Sequence, residues 1–148
     1  MRQSTPLPYL LLGFLLVIFA FNFAGLHYDW FHIYWWYDIP LHIAGGAWVA
    51  LTVIYILEKY YFPGHHVSGF AKILIVLTSV LTIGVLWEIF EYSMDVFKFQ
   101  KYTFATVPKE VRADSAYDLI NDFLGAVFVL AAWLFLRRRK TSLNSEKA

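Results

Sequence analysis

Apolar side chains fall into four long runs along this 148-residue chain, and the polar positions gather between them. Leu7 to Leu26 has no charged residue, and Ile39 to Leu57 has no Asp, Glu, Lys or Arg and one histidine, His42. Ile73 to Trp87 is uncharged and continues in a helix-compatible pattern to about Phe97. Leu119 to Leu136 follows a polar approach and stops at Arg137, Arg138, Arg139 and Lys140. A bilayer core takes roughly 20 apolar residues per helix. The pattern therefore predicts four spans, at about 7–26, 39–57, 71–97 and 116–136. The ten-residue alternating segments of a β-barrel are missing. The expected fold class is all-α, a polytopic four-transmembrane-helix bundle forming one domain over 1–148, with a basic cytoplasmic tail at 137–148. The first run exceeds the roughly 7 to 15 apolar residues of a signal peptide and lacks a clean small-x-small cleavage site, so it reads as a span.

Composition agrees: 59% hydrophobic, 20% aromatic and 16% charged residues lie far from the balance of a soluble globular domain. Without cysteine, disulfides, thiolate metal sites and thiol nucleophiles are excluded. The net charge of +1 singles out no partner, and no nucleic-acid partner is expected. Charge distribution says more. With both termini cytoplasmic, eight basic residues lie inside (Arg2, Lys59, Lys72, the run 137–140, Lys147) against four outside (Lys98, Lys101, Lys109, Arg112). This favours an N-in, C-in orientation, and the expected location is a bacterial or archaeal cytoplasmic membrane. The segment HYDWFHIYWWYD (27–38) carries Trp and Tyr of the kind that anchor at headgroup depth. His27 and His32 read as part of that belt.

The acids do not follow this simple picture. Asp38 and His42 open span two, Glu88, Glu91 and Asp95 close span three, and Asp114, Asp118 and Asp122 open span four. Successive spans run antiparallel, so these places share one membrane face. Residues three, four and seven apart share a helix side, and Gly84–Glu88–Glu91–Asp95 and Asp114–Asp118–Asn121–Asp122–Gly125 each trace one stripe. Gly45, Gly46 and Gly125 lie a turn beyond, where small residues let membrane helices approach closely. An ionised carboxylate at mid-bilayer costs about 2.5 to 3.5 kcal/mol even on lenient scales. Glu88, Glu91, His42, Asp118 and Asp122 should therefore face the bundle interior. No Lys or Arg stands at that depth in spans two to four, which leaves a metal ion, shared protons, or a proton or cation pathway. An oxygen-rich site with one imidazole suits Mg, Mn, Ca, Fe(II) or Zn.

These residues resemble the VanZ-like membrane family. In RADSAYDLINDFLGA (112–126), Arg112, Asp118, Asn121, Gly125 and Ala126 match that family's final helix, and Asp38, His42 and Glu88 match its upstream motifs. Ile39 and Glu91 depart from it, standing where the family often has Lys and Gln. The combination of helix-start Asp and His, a Glu-x-x-Glu pair and the Asp114–Asp118 pair is similar to YjdF-type bacterial inner-membrane proteins. The VanZ resemblance implies an association with lipid-tailed glycopeptide resistance but no agreed reaction.

Two function classes stand at this stage. The first is a metal-dependent hydrolase or transferase acting on a lipid headgroup or lipid-linked substrate. Its metal ligands would be His42, Glu88, Glu91 and Asp118, with Asp38, Asp114 and Asp122 as orienting groups or general base. Asp95, Asn121, Arg112, Lys98, Lys101 and Lys109 would meet the substrate. The second is a non-catalytic binding or transport protein using the same acidic chamber for a cationic ligand, drug, proton or cation. A through-pathway is disfavoured, since stretches such as VALTVIYIL hold no acid or base. Membrane lipids are the expected partners, and pairing of two chains stays open.

Overall fold

The structure is a computed structural model that describes residues 6–61, 68–98 and 109–145; for 110 and 140–145 it describes the backbone alone. Lys101, His65 and His66 lie outside the described residues. All regular structure described is helical: α1 (Leu7–His27), α2 (Trp30–Ile33), α3 (Asp38–Ile56), α4 (Gly69–Phe97) and α5 (Lys109–Ser145). A π-helical turn, Leu57–Tyr61, prolongs α3. Four of these helices are long and apolar enough to cross a membrane: Leu7–His27, Asp38–Tyr61, Gly69–Phe97 and Val111–Arg139. The protein is thus an all-α multi-pass membrane bundle.

Local chemistry sets the ends. The Ser68 hydroxyl accepts from the Ala71 N–H at 3.1 Å, capping α4. Asp38 opens α3, where the helix dipole favours an acid, and Pro40 is tolerated because first-turn N–H groups lack intrahelical partners. α5 begins well before the expected 116, directly after Pro108 in sequence. Nothing from 109 to 124 breaks a helix, and at 37 residues, about 55 Å, α5 outruns a bilayer core of about 30 Å. Lys109 and Arg112, expected in a loop, therefore sit exposed on its first turns. The aromatic segment also contains a turn that periodicity does not announce. Asp29 takes a left-handed conformation (φ 59°), which Asp tolerates, and its carboxylate meets exposed His32 at 2.6 Å.

α3 is the central helix and packs most extensively on α5. Gly46 and Gly125 create that crossing: a Cβ on Gly46 would overlap the Asp122 carbonyl, and one on Gly125 the Ile43 carbonyl. Val49, Ala50, Leu57, Val76, Val80, Ala126, Val129 and Leu130 form the core of α3, α4 and α5. α1 lies to one side and buries only Leu11 and Gly25. Two hydrogen bonds hold it to α3 and the residue just before it, from Trp48 Nε1 to the Leu11 carbonyl and from the Tyr37 hydroxyl to the Phe21 carbonyl, both 2.7 Å. Against α4 it sets the Phe19 ring on edge to Trp87, at 6.4 Å between centroids.

Candidate functional site

The first two turns of α3, the last three of α4 and the first half of α5 meet at one end of the bundle, around His42. Its side chain is 5% exposed. On one side Nδ1 stands 3.4 Å from Asp122 Oδ1. On the other, Nε2 faces Asp38 Oδ1 at 3.6 Å, Asp118 Oδ1 at 3.9 Å and Glu88 Oε1 at 4.0 Å. Asp38 reaches the imidazole from the preceding turn of its own helix; Glu88 comes from α4, and Asp118 and Asp122 from α5. Gly84 makes room for Asp122, since a Cβ there would stand 2.6 Å from Asp122 Oδ2.

The three Nε2 distances exceed hydrogen-bonding range. Glu88 Oε1 is fully enclosed and has no hydrogen-bond partner. A buried polar atom left in that state is costly. Two sets of donors, Asp38–His42–Asp118 and His42–Glu88–Glu91, each offer one atom per residue within 4.8 Å of one another. Carboxylate and imidazole donors around one ion stand about 2.0 to 2.6 Å from it, so opposite ligands are about 4 to 5 Å apart. The separations are thus on the scale of a single cation.

The remaining candidates are less buried than His42. Asn121 is half-buried on α5, Asp95 is half-buried near the end of α4, and Asp114, Lys98, Lys109 and Arg112 are exposed. Among the described residues, Asp38, Glu88, Glu91, Asp118 and Asp122 come together with His42, whereas the basic residues named as substrate contacts are exposed.

Three features escaped the sequence reading. A cavity of about 340 Å³ opens beside the cluster between α1, α3 and α4. Asn22, which lines it, is the single amide of α1 and was visible as a polar residue in an apolar span. Third, the opposite end of the bundle carries a polar knot. There the buried Lys72 faces Glu58 at 3.8 Å and stacks over Trp133, whose indole N–H donates to Glu58 at 3.0 Å. Arg137 covers the same ring at 5.4 Å.

Fold and site together define a four-span membrane protein with a buried His/Asp/Glu cluster at one end, whose groups lie close enough to hold a metal ion. Residues 1–140 match the family described as predicted membrane protein (DUF2238), and the chain belongs to that family. No curated protein and no solved structure matches. The family match supports membrane character and does not extend to the VanZ-type likeness.

Proposed function

We propose that the chamber binds one divalent cation between His42 Nε2 and the carboxylates of Asp38, Glu88 and Asp118, with Glu91 completing or exchanging into the ligand set. An ion held there would supply Lewis-acid chemistry toward the polar part of a membrane lipid. The carrying observation is the convergence of three carboxylate oxygens at 3.6 to 4.0 Å on one imidazole nitrogen whose other nitrogen faces Asp122. That is the carboxylate–histidine pairing that orients metal-binding imidazoles and raises their basicity. The enclosed Glu88 oxygen gains in the ion the partner it otherwise lacks. Asp122 is accordingly a positioning residue, while the other carboxylates are ligands.

The donor set suits a Lewis acid that polarises a phosphoryl or acyl oxygen, or lowers the pKa of a bound water. Lys98, Lys109 and Arg112 are of a sign to attract an anionic headgroup. In the N-in, C-in orientation the chamber faces the outer leaflet of a cytoplasmic membrane. The same geometry supports a second reading, in which the chamber holds a cationic ligand without breaking a bond.

Elemental analysis of the detergent-purified protein is the direct test. The wild type should carry close to one ion per chain, and His42→Ala and Glu88→Gln should both lose it. Metal absent from the wild type, even after dialysis against Mg, Mn, Ca and Zn in turn, would overturn the metal reading and leave a cluster of shared protons.

A further inference from the structure

The cavity beside His42 has a polar end and an apolar body. Asp38, His42 and Asp122 line one end and belong equally to the cluster. The rest is walled by hydrocarbon and aromatic side chains, among them Leu15, Ile18 and Phe19 of α1, and Val80 and Ile83 of α4. Water gains little in such a body, where it finds too few hydrogen-bond partners. An occupant matching both parts has a polar group at one end and a hydrocarbon tail at the other.

Size narrows the choice. A volume of about 340 Å³ lies at the low end of the roughly 300 to 1,000 Å³ of small-molecule sites, enough for one chain and not for a whole two-chain lipid. Access follows from how α1 is mounted. Its hydrogen bonds from Trp48 and Tyr37 lie at Leu11 and Phe21, a stretch of roughly 15 Å along the helix, and the cavity residues Leu15, Ile18 and Phe19 fall between them. α1 packs on α3 rather than on α4, with the Phe19–Trp87 edge contact bridging the cleft. A chain can therefore enter sideways from the bilayer between α1 and α4 without either hydrogen bond breaking.

We propose that this cavity binds one hydrocarbon chain of a membrane amphiphile and thereby presents the amphiphile's polar end to Asp38, His42 and Asp122. The inference rests on the metal reading for what happens at the polar end, and on the cavity alone for the chain. It makes the substrate class single-chain amphiphiles, or lipids that insert one of their chains. Asn22, beside the polar end, offers an amide to the first polar atoms after the chain.

The test uses a single-chain phosphate monoester, a lysophosphatidate with a diazirine near the end of its acyl chain, added to the full-length protein in mixed micelles. Photolysis and peptide mapping then locate the tail. Label should concentrate on Leu15, Ile18, Val80 and Ile83 and be displaced by the unlabelled compound. Filling the cavity with Ile18→Trp should lower that label about tenfold, as an overpacked site does, while metal content is unchanged. Leu15→Phe, a milder filling, should lower it less. Label spread over bilayer-facing residues such as Leu16 and Phe128, insensitive to competitor, would overturn the proposal whatever the variants do. Cavity labelling in a protein free of metal would keep the chain site and sink the metal reading, and metal without cavity labelling would do the reverse.

Discussion

The two ends of the bundle handle buried charge in opposite ways. At the end formed by Glu58, Lys72 and Trp133, an ammonium meets a carboxylate, an indole N–H satisfies the same carboxylate, and Arg137 closes over the ring. The buried ammonium there has a carboxylate partner, and half of the Glu58 side chain reaches solvent or headgroups. At the other end, Asp38, Glu88, Glu91, Asp118 and Asp122 gather around a single imidazole, and one carboxylate oxygen is both enclosed and unbonded. Stability alone accounts for the first arrangement. It does not account for the second, because a surplus of acids on one imidazole costs desolvation that no cation of this cluster returns. The excess is what a site built around an added positive charge looks like.

The largest effect should come from the contact that brings the helices of the site together. Gly46→Ala places a methyl group into the Asp122 backbone carbonyl, which cannot rotate away as a side-chain end would. α3 and α5 must then separate, at a cost of about 1 to 3 kcal/mol. His42 moves relative to Asp122, so metal content should fall along with the melting temperature in detergent. Gly13→Ala is the matched control: nothing lies within 4 Å of its added Cβ, and it should be neutral or stabilising by up to about 1 kcal/mol. Equal melting temperatures for the two variants would show that the α3–α5 crossing does not hold the site.

A smaller, more selective effect belongs to Asp122→Asn. The side chain keeps its shape, so the fold should stand, but the partner facing His42 Nδ1 at 3.4 Å loses its charge. Changes of this kind lower metal affinity by about 10- to 100-fold. Titration of apo protein with Zn or Mn, followed by calorimetry, reads that loss directly. A merely structural Asp122 would leave the affinity unchanged and lower the melting temperature instead.

The sequence carried the spans and the convergence of acids for a simple reason. Apolar run length identifies membrane helices, and antiparallel connectivity assigns their ends to faces without knowledge of which helix neighbours which. Asp38, His42, Glu88 and Asp118 could be brought together on that basis alone. What the pattern could not supply was lateral arrangement. The cavity exists because α1 leans on α3 through Tyr37 and Trp48, and neither residue is distinguishable in the sequence from its many aromatic neighbours. The early start of α5 was hidden for another reason: a hydropathy window stops where the helix leaves hydrocarbon, while the helix itself runs on through Arg112 and Asp114. Lys72 was read as a topology marker and Glu58 was not singled out; their pairing depends on the π turn after Ile56, which no periodicity reveals.

The smallest effects are expected at the paired end, and they should be unequal. Glu58→Gln keeps an acceptor for the Trp133 indole but removes the negative charge facing Lys72, whose side chain is only 11% exposed. Lys72→Met removes a buried ammonium and leaves a carboxylate that is half exposed and still bonded to Trp133. Losing the partner of the more buried charge costs more, so Glu58→Gln should destabilise further than Lys72→Met. Both should stay near or below about 1 kcal/mol, because the pair is partly exposed and the long Lys72 stem can move its ammonium toward the headgroups. Melting temperatures in detergent decide the order. Metal content provides the contrast with the site end, since neither change touches His42 or its carboxylates and both variants should bind the ion as the wild type does. If Lys72→Met destabilised as strongly as Gly46→Ala, the paired end would be a principal support of the bundle. The division between a stabilising end and a chemical end would then have to be redrawn.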